Sequence, residues 1–139
     1  MPTTNRFFLA GAAAVVATLA FPLAVQAQGS AMPPMKKDGA AQYVCGGIGS
    51  DESSAMRAAM KDHPLSLLFA RADGACLSEA DVMVKGAGGA TALSMKATGP
   101  VCLIDLPAGK YTVSATSGGV TKSQEVNVGA GSKTADFRF

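Results

Sequence analysis

The chain has 139 residues, with 12 basic and 10 acidic side chains, a formal net charge of +2 and 6% aromatic residues. That balance excludes an electrostatic nucleic-acid binder, which needs a basic excess gathered on one face. A hydrophobic fraction of 48% excludes a disordered chain, and the length allows one domain.

At the front, Arg6 is a positive start, Phe7 to Ala20 is free of charge, and Pro22 breaks any helix. Val25-Gln26-Ala27 then sets small residues at a cleavage position. These features predict a signal peptide over residues 1–27, cleaved after Ala27. The apolar run falls short of the roughly 20 residues that a membrane span needs, so no transmembrane span is expected in the mature chain. Loss of Arg6 leaves a net charge of about +1, which removes support for polybasic binding to a membrane surface. The expected location is the periplasm, or the exterior if the protein is secreted.

Residues 28–42 are small, polar and broken by prolines, and read as a flexible leader with Lys36-Lys37 in solvent. Residues 43–64 read as a glycine loop and a short helix over Asp51 to Asp62. Ser50 or Asp51 can cap that helix, Glu52 lies in its first turn, and His63-Pro64 ends it. Ala55, Met56, Ala59 and Met60 form one stripe at helical spacing. Gly46-Gly47-Ile48-Gly49 before a helix has the makings of an anion nest, but Asp51 and Glu52 would repel the anion. A structural turn is the better reading of Gly46 to Glu52.

From Leu65 the period becomes extended. Segments 65–70, 80–85, 91–96, 101–106, 110–117, 120–128 and 133–139 read as seven strands separated by glycine- or proline-bearing turns. Val82 and Val84 share a face, as do Tyr111, Val113 and Ala115, and Val101 and Leu103 point inward. Phe137 and Phe139 read as core residues of the last strand rather than as a membrane-barrel terminus, because the strands are shorter than the 9–11 residues such a barrel needs. The rhythm predicts a mainly β, antiparallel sandwich with one short N-terminal helix.

Three cysteines, Cys45, Cys76 and Cys102, follow the expected cleavage point. In an oxidising compartment one pair among them is expected to form a disulfide, and the sequence leaves the pairing open. Two site chemistries are open to these residues. Met56, Met60 and His63 fall at i, i+4 and i+7, so one helix face could offer two thioethers and an imidazole to copper, with Met32 and Met35 adding two thioethers from the leader. The preferred reading makes the methionines a docking stripe, with methionine filling gaps. Catalysis by His63 with a cysteine lacks any active-site motif, and the carboxylates are scattered. The expectation is no enzyme and no cofactor.

The segment Gly99 to Val128, GPVCLIDLPAGKYTVSATSGGVTKSQEVNV, resembles the carboxypeptidase regulatory-like domain, a transthyretin-like (prealbumin-like) Greek-key sandwich. Gly99, Leu103, Leu106, Pro107, Gly109, Tyr111, Val113, Gly119, Val126 and Val128 carry the likeness, and Val101 stands where a large aromatic is usual. The likeness spans about residues 65–139. YVCGGIGSDE at the front resembles a group of small exported bacterial proteins carrying this sandwich. The resemblance implies a non-catalytic interaction or structural module in the bacterial envelope with a protein partner. The alternatives are a small-ligand or copper carrier and a glycan-binding module, and Tyr43 is the tyrosine expected to be exposed for contact.

Overall fold

The computed structural model describes residues 13–20, 32–75, 77 and 79–139. Residues 13–20 have no regular secondary structure, and Val15, Val16 and Leu19 are exposed. The expected cleavage point after Ala27 and Cys76 lie outside the described residues.

The elements are β1 (Lys36–Asp38), β2 (Ala41–Gly46), α1 (Ser50–Ala59) with a 3-10 turn over Met60–Asp62, β3 (Leu65–Ala70), β4 (Ala80–Gly86), β5 (Thr91–Ala97), β6 (Val101–Asp105), β7 (Gly109–Ser117), β8 (Val120–Val128) and β9 (Lys133–Arg138). They form two sheets, β1-β2-β6-β3-β9 and β5-β4-β7-β8. The expected count of seven strands is corrected to nine among the described residues. The two extra strands come from the segments read as leader and glycine loop, where β2 is held antiparallel against β6 and β1 folds back on β2.

The wholly antiparallel expectation is corrected as well. β9 runs parallel to β3, from Leu65 opposite Lys133 to Ala70 opposite Arg138. It arrives from β8 in the other sheet, and such a crossing connection, unlike a tight hairpin, can deliver a strand in either direction.

The main core lies between the sheets, where strict alternation along β4 and β7 puts Val82, Val84, Tyr111, Val113 and Ala115 inside. Phe69 and Phe137 stack there with ring centres 5.7 Å apart. β6 is buried on both faces. Cys102 and Ile104 face the main core, whereas Val101 and Leu103 join Val44 and Met56 in a second, smaller core on the outer side. The inward assignment of Val101 and Leu103 thus becomes burial beneath α1. Fully burying a side chain the size of Met56 contributes about 1.5–3 kcal/mol, enough to dock a helix of ten residues that would be marginal alone.

The L-P-x-G-x-Y stretch has a physical basis here. The buried Tyr111 ring packs over Gly109, and its hydroxyl donates to the Pro107 carbonyl at 2.7 Å. The turn into β7 is tied to the core by its own tyrosine.

Candidate functional site

The glycine loop comes first, because α1 hangs from it. Gly47 and Gly49 hold φ of +97° and +86°, the left-handed region that a side chain disfavours. Gly49, rather than the expected Ser50 or Asp51, is the N-cap of α1. Asp51 and Glu52 lie in its first turn, and the Glu52 carboxylate reaches back to accept the Gly47 N–H at 2.8 Å. A carboxylate thus holds the loop amide that an anion would need. The loop is a packed turn closed by its own side chain.

Cys45 and Cys102 sit directly opposite each other in the β2–β6 register, with Cα atoms 4.1 Å apart, and form a disulfide. Facing strand positions of the non-hydrogen-bonded kind bring side chains closest. Cys45 Sγ lies 3.5 Å from Met95 Sδ in the opposite sheet, so the bond is part of the main core.

The three candidate copper ligands have different surroundings. Met56 is fully buried in the outer core, and Met60 is partly buried at its margin. His63 Nδ1 pairs with Asp105 Oδ1 at 2.7 Å, with the two side chains 14% and 39% exposed. Asp105 shares the helix-side face of β6 with Val101 and Leu103, which places the pair at the end of the outer core. Met32 and Met35 pack on the same cluster as Met56 and Met60. Among the described residues, no group of three or more His, Cys, Asp and Glu side chains is arranged to hold a metal.

Both flanks of the sandwich are bridged by side chains. On one side Asp38 accepts the Ser94 N–H of β5 at 3.2 Å. On the other, Gln124 of β8 donates to the Asp136 carbonyl of β9 at 2.6 Å, and Lys122 Nζ stands 5.9 Å from the centre of the Phe139 ring. Polar and charged side chains directed inward from an edge strand discourage pairing with a foreign strand. Near Asp38 a cleft of about 260 Å³ is lined by Lys36, Tyr43, Cys45, Glu52 and Lys96. Tyr43, expected to be exposed, is half-buried there against the main core.

The outer faces of the two sheets differ. The helix covers part of one. The other presents Met83 at 39% exposure among Ser94, Ser114 and Ser123, with Thr116 and Thr121 one row along. Ser114 and Ser123 share a hydrogen bond of 2.8 Å between hydroxyls, as do Thr116 and Thr121 at 2.7 Å. Asp81 and Lys96 stand opposite each other beside this ladder, and the face holds a shallow depression of about 570 Å³.

Sequence reading did not find this face, although its signal was present. Thr112, Ser114 and Thr116 alternate with the core residues of β7. Among the described residues, no helix is long and apolar enough to cross a membrane. No protein-family model matches the chain, and no curated protein matches it.

Proposed function

We propose that the protein is a non-enzymatic, exported β-sandwich that serves as a protein-interaction module in the bacterial envelope. Its docking surface in this reading is the open face of β5-β4-β7-β8. The observation that carries it is Met83, a large apolar side chain at 39% exposure in the middle of a hydroxyl-lined face. A flexible thioether ringed by small hydroxyls suits a partner surface that supplies both apolar and hydrogen-bonding groups. The bridged flanks favour the face over a strand edge. A polysaccharide would find hydroxyls here but no aromatic ring on which to stack, so a protein is the favoured partner.

Export is supported by the exposed apolar residues Val15, Val16 and Leu19 and by the Cys45–Cys102 disulfide, which belongs to an oxidising compartment. The transthyretin-like Greek-key assignment is supported by the division of the seven strands from Leu65 onward, three in one sheet and four in the other. The Tyr111–Pro107 tie within the family-like motif supports it too.

The test is site-directed photo-cross-linking in intact cells, with the reactive group placed at Met83 or, as a control, at Lys133 on β9. One dominant protein adduct from position 83, lost with Ser114→Arg, is the expected result. Equal, diffuse labelling from both positions overturns the face assignment.

A further inference from the structure

Methionine is unevenly distributed between the two cores. Among the described residues, the outer core holds Met32, Met35, Met56 and Met60 with Val44, Val101, Leu103, Ala59 and Leu68, so four of its nine members are methionine. The main core has one, Met95, among twenty-five. The chain fills that larger core mainly with alanine, leucine, valine and phenylalanine, so it has no general habit of packing with methionine.

The four thioethers come from two separate segments. Met32 and Met35 flank a Pro-Pro pair ahead of β1, while Met56 and Met60 lie one helical turn apart on α1 and the 3-10 turn after it. Packing of the leading segment against the outer core brings the four residues into one hydrophobic cluster. Met56 is sealed within it, whereas Met32, Met35 and Met60 are partly exposed, so the cluster opens to the surface.

A thioether is a neutral, polarisable ligand with no proton to lose. Ions that favour several thioethers are soft and monovalent, Cu(I) and its redox-inert analogue Ag(I), whereas hard divalent ions prefer oxygen. We propose that Met32, Met35, Met56 and Met60 form a binding site for a soft monovalent metal ion of the Cu(I) class. The proposed ligand set is thioethers alone; His63, whose Nδ1 pairs with Asp105, stands outside it, and the pH dependence of binding tests that choice. The site is independent of the docking face, because it lies on the outer side of the other sheet.

The experiment uses the protein purified with Cys45–Cys102 intact and carrying Cys76→Ser, so that a thiol does not compete for the ion. Ag(I) is titrated while the methionine methyl resonances are followed, and Cu(I) affinity is measured against a chromogenic chelator. The expected result is one ion per chain, with the methyls of Met32, Met35, Met56 and Met60 shifting and those of Met83 and Met95 unmoved. Met32→Leu/Met35→Leu and Met60→Leu keep apolar volume and remove sulfur. Each is expected to weaken binding about tenfold or more, and Met83→Leu to leave it unchanged. Affinity is expected to hold from pH 7 to pH 5, because no ligand binds protons there.

Binding no tighter than micromolar overturns the proposal and leaves the cluster as adaptable packing. Affinity unchanged in Met32→Leu/Met35→Leu overturns it equally. So does a tenfold loss of affinity at pH 5, which would point to an imidazole ligand.

Discussion

Gly99 is pressed against the backbone of Gly46. A methyl group added to Gly99 would lie 2.6 Å from the Gly46 carbonyl carbon and 2.8 Å from its Cα. This contact seats the segment entering β6 against the end of β2, beside the glycine loop that carries α1. Backbone cannot swing aside as a long side chain can. Gly99→Ala is therefore expected to lower stability by about 1–3 kcal/mol, the usual cost of overpacking. Gly88→Ala is the control, because a methyl there meets nothing and the backbone is not left-handed. Urea unfolding of the two variants makes the comparison, and equal midpoints would contradict the packing argument.

The Cys45–Cys102 bond joins strands already paired, yet it closes a loop across a sequence separation of 57 residues. Constraint of the unfolded chain over a loop of that size contributes about 2–4 kcal/mol. Cys45→Ala/Cys102→Ala is expected to lose that amount. Cys76→Ser is expected to leave the disulfide in place, shown by an intact mass about two hydrogens below that of the reduced form. Three reactive thiols in unreduced wild-type protein would refute the pairing.

Ser66 is fully buried on β3, and its hydroxyl has no hydrogen-bond partner among the described residues. An orphaned buried polar group carries its desolvation cost without compensation. Ser66→Ala is expected to stabilise the protein by about 1 kcal/mol, against the usual direction for a core substitution. A lower thermal midpoint for this variant would mean that the hydroxyl does have a partner in solution.

Glu52 holds the Gly47 N–H and so fixes the loop to the first turn of α1. Glu52→Ala is expected to cost about 0.5–2 kcal/mol, the range for losing a helix N-terminal cap. Glu52→Gln keeps a carbonyl acceptor and is expected to recover much of the loss. Faster amide exchange at Gly47 in the alanine variant alone would locate the effect.

Phe137 fills the centre of the main core from the parallel strand β9 and stacks on Phe69. Phe137→Ala is expected to cost about 3–5 kcal/mol, as large-to-small changes at buried aromatics do. Phe139→Ala, at a partly buried position, is expected to cost less. Similar losses from both would argue that β9 is anchored by its ladder rather than by its phenylalanine.

Much of this architecture was legible where one face of a strand is wet. The alternation in β4 and β7 names the inward residues directly, because a period of two leaves a single choice of buried side. β6 was harder. Val101 to Ile104 is a continuous apolar run, the mark of burial on both faces, but nothing local says that a helix supplies the second cover. β2 stayed hidden because its partner β6 lies more than fifty residues away and its own sequence ends in glycine. Separation in sequence also concealed the pairing of His63 with Asp105, 42 residues apart. The gathering of Met32 and Met35 onto the outer core has no periodic signature, since Pro33 and Pro34 interrupt any regular element there.

The bridges across the two flanks separate colloidal behaviour from folding stability. Asp38 on Ser94 and Gln124 on Asp136 are exposed contacts, so their removal would scarcely move an unfolding curve. What their removal would change is availability. The amides and carbonyls of β5, β8 and β9 would be left for strands of neighbouring molecules. Two small polar side chains thus act as gatekeepers whose loss would be felt in a crowded compartment as fibre or precipitate. Such variants would pass every assay made on dilute protein.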